Sequence, residues 1–223
     1  MTINRSLMDL STKPVDYFSQ SRPEMARFVP RSAKRILDVG CGKGIFSSRL
    51  KKELDAEVWG IELVPETAHL AAQQLDRVLV GDVSEQIEYV PENYFDCAIC
   101  NDVIEHLVDP CHVLRVLKTK LRSDGVVVSS IPNIRFFRNL FDLVVRGQWR
   151  YEDAGILDKT HLRFFTKKSI AEMFESLGYR ILHLEGINPT PSWRVKLFDF
   201  ATFGLLSDTR YLQFACVAQP ASN

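Results

Sequence analysis

The chain has 223 residues, of which 46% are hydrophobic and 25% charged, an ordinary globular composition at a length that fits one domain with room for an insertion. Its 28 Lys and Arg balance its 28 Asp and Glu, so no global field marks nucleic acid or a charged surface as the partner. The start, MTINRSLMDLSTK, has no apolar leader core, and no uncharged apolar run approaches the roughly 18 residues a membrane helix needs, so a cytoplasmic protein without a transmembrane segment is expected.

In chain order, RILDV (35–39) reads as a strand and is followed by a helical run with Phe46, Leu50 and Leu54. EVWGIEL (57–63) reads as a second strand, before a helical face of Ala68, Ala71, Ala72 and Leu75. RVLV (77–80) and FDCAIC (95–100) are two further strands; Val113, Leu114, Leu117 and Leu121 form a helical stripe, and GVVVSSI (125–131) is a β-branched run. These short apolar runs lack clean alternation, which predicts strands buried on both faces. Strands alternating with helices predict an α/β fold with a parallel, doubly wound sheet. The pattern breaks after Pro132 for about 30 residues and resumes with a helix carrying Ile170, Met173, Phe174 and Leu177, then two late strands at 179–187 and 211–219. The expected organisation is a single domain, with an N-terminal lid segment (1–33), a core (34–131), an insertion (132–168) and a closing helix with strands (169–223).

Five cysteines occur, and Cys97 and Cys100 form a CxxC. They lie in a strand, where residues three apart point to opposite faces and cannot converge on one metal. They are expected to be ordinary buried thiols.

ILDVGCGKG places Asp38, Gly40, Gly42 and Gly44 between a strand and a helix. Glycines there let backbone approach a ligand and leave helix N–H groups to meet it. The spacing is G-x-G-x-G, and Ile45 occupies the place where a dinucleotide fingerprint wants its last glycine. Glu62 ends the second strand, where an acid can accept ribose hydroxyls, and Asp82 follows the third, where it can take an adenine amino group. The plain alternatives are a solvated turn for Glu62 and a helix N-cap for Asp82.

With ILDVGCGKG, VWGIEL, VGDV, CNDVIEHLVDP and LRSDGVVVSSIPN on the page, residues 34–133 resemble the class I S-adenosylmethionine-dependent methyltransferases. The resemblance implies a Rossmann-like, mostly parallel seven-stranded sheet with helices on both faces, an antiparallel last strand and a small acceptor-binding insertion after the fifth strand. It implies S-adenosylmethionine as cosubstrate and S-adenosylhomocysteine as product. Gly40 and Gly42 would pass under the cosubstrate, with Asp38 and Asn101 at its methionine end. Glu62 and Leu63 would hold the ribose side, Asp82 and Val83 the adenine side, and Tyr17 and Arg22 would close over it.

Methyl transfer to a hydroxyl needs alignment and a base. Of five histidines, His69 and His112 fall on flanking helices and His183 in a late strand, leaving His106 and His161 as catalytic candidates. His161 lies in GILDKTHLRFFT, a loop expected to be pinned at its C-terminal end by a helix cap near Thr166 or Ser169 and to swing over the acceptor, anchored by Phe164 and Phe165. That stretch resembles one in methyltransferases of bacterial surface-polysaccharide biosynthesis, which implies a sugar or sugar-linked hydroxyl as acceptor. DVIEHLVDP resembles ubiquinone-pathway O-methyltransferases, which implies a quinone or phenol instead. Asp102, Glu105 and His106, with His161, also resemble a divalent-metal pattern of those enzymes and of small-RNA 3′-end methyltransferases. Asp stands at 102 for the usual Glu, so no metal is expected, and activity should be indifferent to chelator. The insertion holds eight basic residues against four acids, with Phe137, Leu140, Phe141 and Val144 on one helical face. It reads either as a lid helix packed on the domain or as a surface for an anionic or lipid-linked small-molecule acceptor. No nucleic-acid partner is expected.

Overall fold

The computed structural model describes residues 21–192, 199 and 202–221. Tyr17 lies outside the described residues. A seven-stranded sheet runs in the order β3-β2-β1-β4-β5-β7-β6. Its strands are β1 (Arg35–Val39), β2 (Glu57–Glu62), β3 (Arg77–Val80), β4 (Phe95–Asn101), β5 (Leu121–Pro132), β6 (Tyr179–Pro189) and β7 (Tyr211–Pro220). The pairs from β3 through β5 are parallel, whereas β7 runs antiparallel to both β5 and β6. The chain reverses direction in strand order between β1 and β4, and ligands of such sheets bind beyond the strands' carboxyl ends at that switch.

The helices are α1 (Pro23–Ala26), α2 (Ile45–Leu54), α3 (Pro65–Ala72), α4 (Val83–Gln86), α5 (Pro110–Lys120), α6 (Phe137–Val144) and α7 (Lys167–Ser176). Two apolar layers sandwich the sheet. One joins Leu37, Ala98 and Val127 to Leu114 and Leu117 of α5 and Ile170 and Phe174 of α7. The other joins Ile36, Cys97 and Val128 to Met25, Leu50 and Ala71 of α1, α2 and α3. Cys97 and Cys100 belong to opposite layers and both are buried, so the expected alternation along β4 holds.

The boundaries differ from the expected ones in three places. Leu121 opens β5 instead of closing α5, although it is buried in either role, and burial is what the apolar stripe encodes. The strand β3 is the sheet edge and half exposed, because it has only one neighbour. On α3 the inward face is Thr67, Ala68 and Ala71, with Ala72 turned to solvent. Small residues are needed there: a Cβ at Gly44 would already stand 3.3 Å from the Ala71 Cα. No helix among the described residues is long and apolar enough to cross a membrane.

Candidate active site

The carboxyl ends of β1, β2 and β4, with the loop after β3, open into one cavity of about 500 Å³. Asp38, Gly40, Gly42, Glu62, Leu63, Asp82, Val83, Asn101 and Arg22 all line it, and so do His106 and His161. The described site residues chosen from sequence therefore share one space.

Gly40, Gly42 and Gly44 have φ of 69°, 55° and 75°, a region that costs an L side chain but not glycine. At Gly40 an added Cβ would also stand 2.5 Å from the Val103 Cγ2. The close approach that demands glycine is thus to Val103 of the protein itself. Glu62 is only 5% exposed, which excludes the solvated turn. Its Oε2 accepts from the Gly42 N–H and its Oε1 from the Val64 N–H, each at 2.9 Å, tying the glycine loop to the end of β2. Burial raises its pKa, opposed by the backbone N–H groups of Val64, Gly42 and Leu63.

Asp38 accepts a hydrogen bond from the Ser47 hydroxyl at the start of α2. Burial pushes its carboxyl up to about 7, against the Ser47 hydrogen bond, with the Glu62 charge adding to the rise. Asp82 serves as the α4 N-cap, accepting from the Ser84 N–H at 2.8 Å, while also lining the cavity; the two readings of this residue are compatible. Both polar atoms of the Asn101 side chain are buried without a partner. Such atoms cost about 1–3 kcal/mol each unless a ligand or water completes them.

Arg22 pairs with Asp102, and both residues have positive φ, 41° and 52°. Asp102 also accepts from Ser130 and from the Gln213 side chain, whose Oε1 in turn accepts from Asn188. Sequence reasoning missed Asn188, Leu212 and Gln213 as cavity residues. They sit at the ends of the antiparallel strands, far along the chain, and carry no motif.

The loop bearing His161 does not hang from one end, which corrects the expected swing. Leu162 and Arg163 both donate their backbone N–H to the Glu105 carbonyl, at 2.9 and 3.0 Å. Asp158 is buried and accepts from the Thr160 N–H and hydroxyl, and its carbonyl accepts from the His161 N–H. Phe165 pairs with Asn133 as an isolated bridge, and Thr166 and Ser169 form a reciprocal cap on α7. His161, 8% exposed, is held against Ile156: its Nδ1 is 2.9 Å from that carbonyl. The His106 Nδ1 is likewise 3.1 Å from the Thr160 carbonyl. A carbonyl accepts only from a donor, so each ring carries a proton on Nδ1, and in its neutral form the lone pair is on Nε2. The two rings meet edge to face, 4.6 Å apart.

Glu105 completes this cluster at 1% exposure, and neither carboxylate oxygen meets a donor from another residue. Burial pushes its carboxyl up to about 8. Candidate ligand atoms of Glu105, His106 and His161 all lie within 4.8 Å of one another, close to the span of about 4.2 Å that two ligands of one divalent ion can bridge. Imidazoles oriented by backbone carbonyls, beside a buried acid that no other residue donates to, fit a cation site in which Glu105 is ionised. The expectation of no metal therefore meets a cluster that fits one. Asp102, however, is taken up by Arg22, Ser130 and Gln213 and does not join it. The shorter Asp side chain at that position works in a different contact from the one the metal pattern assigns.

A family model described as a methyltransferase domain matches residues 16–184. The chain is 30% identical over 187 residues to a ubiquinone biosynthesis O-methyltransferase of Paraburkholderia phymatum, covering 80% of this chain and 75% of that one. It is 26% identical over 163 residues to the enzyme of the same name from Aeromonas salmonicida, covering 71% and 68%. Among solved structures, a SAM-dependent methyltransferase from Archaeoglobus fulgidus superposes with a TM-score of 0.70 at 20% identity, over 92% of this chain and 96% of that one. A 1,6-didemethyltoxoflavin-N1-methyltransferase from Burkholderia thailandensis, with S-adenosylhomocysteine bound, superposes at 0.62 and 19% identity over 93% and 82%. With a glycine loop under a cavity that three acidic strand ends surround, and a family model that spans most of the sequence, this chain belongs to the S-adenosylmethionine-dependent methyltransferases.

Proposed function

We propose that the enzyme transfers the methyl group to a hydroxyl of a small molecule, most simply a sugar or sugar-linked acceptor that carries negative charge or a lipid. The observation that carries this reading is the single cavity, whose cosubstrate half ends at Asn101 and whose other half is a polar wall of Glu105, His106, Asp158, Thr160 and His161. In the in-line step the acceptor oxygen bonds to the methyl carbon, the carbon–sulfur electron pair returns to sulfur, and the hydroxyl proton must leave. The proposed cosubstrate contacts are Glu62 and Leu63 to the ribose, Asp82 and Val83 to the adenine, and Asp38, Asn101 and Arg22 to the methionine portion.

Two roles for the acceptor-side cluster follow from its chemistry. With Glu105 protonated, His161 Nε2 is the base and His106 its neighbour. With Glu105 ionised, Glu105, His106 and His161 would together hold a divalent cation. That cation would supply Lewis acidity to an acceptor hydroxyl. The convergence of candidate ligand atoms from Glu105, His106 and His161 within 4.8 Å of one another favours the second role. It also supports the alternative acceptor class, a quinone or phenol, in keeping with the names of the relatives above.

Release of S-adenosylhomocysteine, screened across sugar, sugar phosphate and catechol acceptors with and without EDTA, tests both points. Turnover should stop with chelator and return with Mg²⁺ or Mn²⁺. Indifference to chelator would return His161 to the role of base. Turnover on no hydroxyl compound, with methylation of an amine instead, would sink the O-methyl reading.

A further inference from the structure

Both histidines of the acceptor wall are held by carbonyls of one short stretch, residues 156–160. The Ile156 carbonyl accepts from His161 Nδ1 at 2.9 Å, and the Thr160 carbonyl accepts from His106 Nδ1 at 3.1 Å. Asp158 stands between those two carbonyls, 1% exposed, and lines the cavity together with Thr160. Its Oδ1 accepts from the Thr160 N–H at 2.9 Å and from the Thr160 hydroxyl at 2.8 Å. Its carbonyl accepts from the His161 N–H at 3.0 Å, and its own N–H donates to the Gly155 carbonyl at 3.2 Å. Glu152 brackets the same turn, donating its N–H to the Leu157 carbonyl and accepting from the Lys159 N–H.

A trans peptide unit points its C=O and its N–H in opposite directions. In the unit that joins Thr160 to His161, the Asp158 carbonyl holds the N–H, which turns the C=O the other way, onto the His106 ring. The preceding unit, which carries the Thr160 N–H, is held by the Asp158 carboxylate. Both peptide planes that flank Thr160 therefore depend on Asp158. A turn that only closes a buried loop would explain the bonds from Thr160 to Asp158. It does not explain why the carbonyls on either side are both taken by imidazoles, one of them 54 residues from Thr160 in the chain. The carbonyl that engages Nδ1 decides which ring nitrogen is left to act as base or ligand.

We propose that Asp158 and Thr160 are positioning residues for the methyl transfer: the turn they form aims the Ile156 and Thr160 carbonyls, and those carbonyls fix the orientation and tautomer of both His161 and His106. The proposal rests on the reading in which these histidines serve the reaction, and it holds for either of their two roles there. Asp158 and Thr160 act through the imidazoles and need not touch the acceptor.

The test reads the tautomers directly. Proton–nitrogen correlation spectra of the histidine rings are recorded on the isotope-labelled full chain, saturated with S-adenosylhomocysteine, in EDTA and at about pH 8.5 so that the rings are neutral. In the wild type both His106 and His161 should carry the proton on Nδ1. Asp158→Ala and Thr160→Val should each move at least one ring toward the Nε2–H form. Turnover should fall about 10–100-fold in both, with S-adenosylhomocysteine affinity within about twofold. Thr160→Ser, which keeps the hydroxyl, and Asp158→Asn, which keeps an accepting oxygen, should restore the wild-type tautomers and most of the turnover. If Asp158→Ala fails to fold, Thr160→Val carries the test, because it exchanges a hydroxyl for a methyl of the same shape. Tautomers unchanged in every folded variant would overturn the proposal, and so would altered tautomers with undiminished turnover while His161→Ala is slow. Wild-type turnover in both His106→Ala and His161→Ala would instead remove the histidines from the reaction, and the reading beneath the proposal with them.

Discussion

The two halves of the cavity are built differently. On the side proposed for the cosubstrate, backbone does much of the work: positive-φ glycines, the Gly42 N–H tied to Glu62, and acids within a residue or two of strand ends. On the side proposed for the acceptor, the wall is made of side chains from the single 3-10 turn at residues 104–106 and from the 154–161 loop, brought together by hydrogen bonds that span more than 50 residues of chain. Next to that wall, α6 has no buried residue at all, and Val144 is 77% exposed. Of the two readings of its apolar stripe, a helix packed deep on the domain fits less well, because Phe137 and Leu140 are half-buried and Phe141 and Val144 exposed. Periodicity specifies a helix and its apolar face, but says nothing of what covers that face. The lesson is that a site written in backbone geometry needs fixed local residues, whereas a site written in long-range contacts leaves each local stretch free to vary.

This contrast can be broken from either side. The largest effect is expected at the glycine loop. Gly40→Val puts a branched side chain at a φ of 69° and against Val103, so S-adenosylhomocysteine binding should fall at least 100-fold in calorimetry. A folded variant that still binds tightly would undo the assignment of the cosubstrate half.

On the acceptor side, His161→Ala should lower turnover about 10²-fold while cosubstrate affinity changes by less than about threefold. The imidazole sits in the half of the cavity proposed for the acceptor, and its loop is pinned by Glu105 and Asp158 through backbone groups that the substitution keeps. Full activity would make His161 a structural residue and shift the role to His106. Loss of cosubstrate binding in the same variant would show that the two halves are not separable.

A smaller loss is expected at Glu62. With Glu62 as the proposed acceptor of ribose hydroxyls, its removal costs about 1.5–3 kcal/mol, so Glu62→Ala should weaken S-adenosylmethionine about tenfold or more. Unchanged affinity would leave Glu62 with only its structural bonds to Gly42 and Val64.

The smallest effect is a pH dependence of the ligand-free protein. Burial raises the Asp38 carboxyl from 3.8 to about 7, so the folded state keeps its proton to higher pH than the unfolded chain does. Stability should therefore be greatest, as far as this group is concerned, below about pH 4 and fall as pH rises through about 7. Urea midpoints at pH 5 and pH 8 should differ less in Asp38→Asn than in the wild type. An equal difference in both would remove Asp38 as the source.

Much of the fold was legible because each strand and helix buries its own face, and burial leaves a local mark. The runs at 35–39 and 57–63, and the glycine loop between them, lie within one or two residues of β1, β2 and their connecting turn. The same locality made Asp38, Glu62 and Asp82 readable, since each lies within two residues of a strand's carboxyl end. Asn101 was readable for that reason too, but its two unpartnered polar atoms were not.

A doubly wound sheet, a glycine-rich loop between strand and helix, and a short roster of groups able to do chemistry can be read from local pattern. Which of those groups meet is a matter of how the segments dock. Glu105 and His161 are 56 positions apart, and nothing in either local stretch says that the Glu105 carbonyl takes the Leu162 and Arg163 N–H groups and so seats His161 beside its carboxyl. The diversion of Asp102 to Arg22 and Gln213 depends likewise on β7 lying antiparallel beside β5. Local pattern encodes what each segment must bury; the partners of a polar side chain are set by where the segments dock, which no single segment contains.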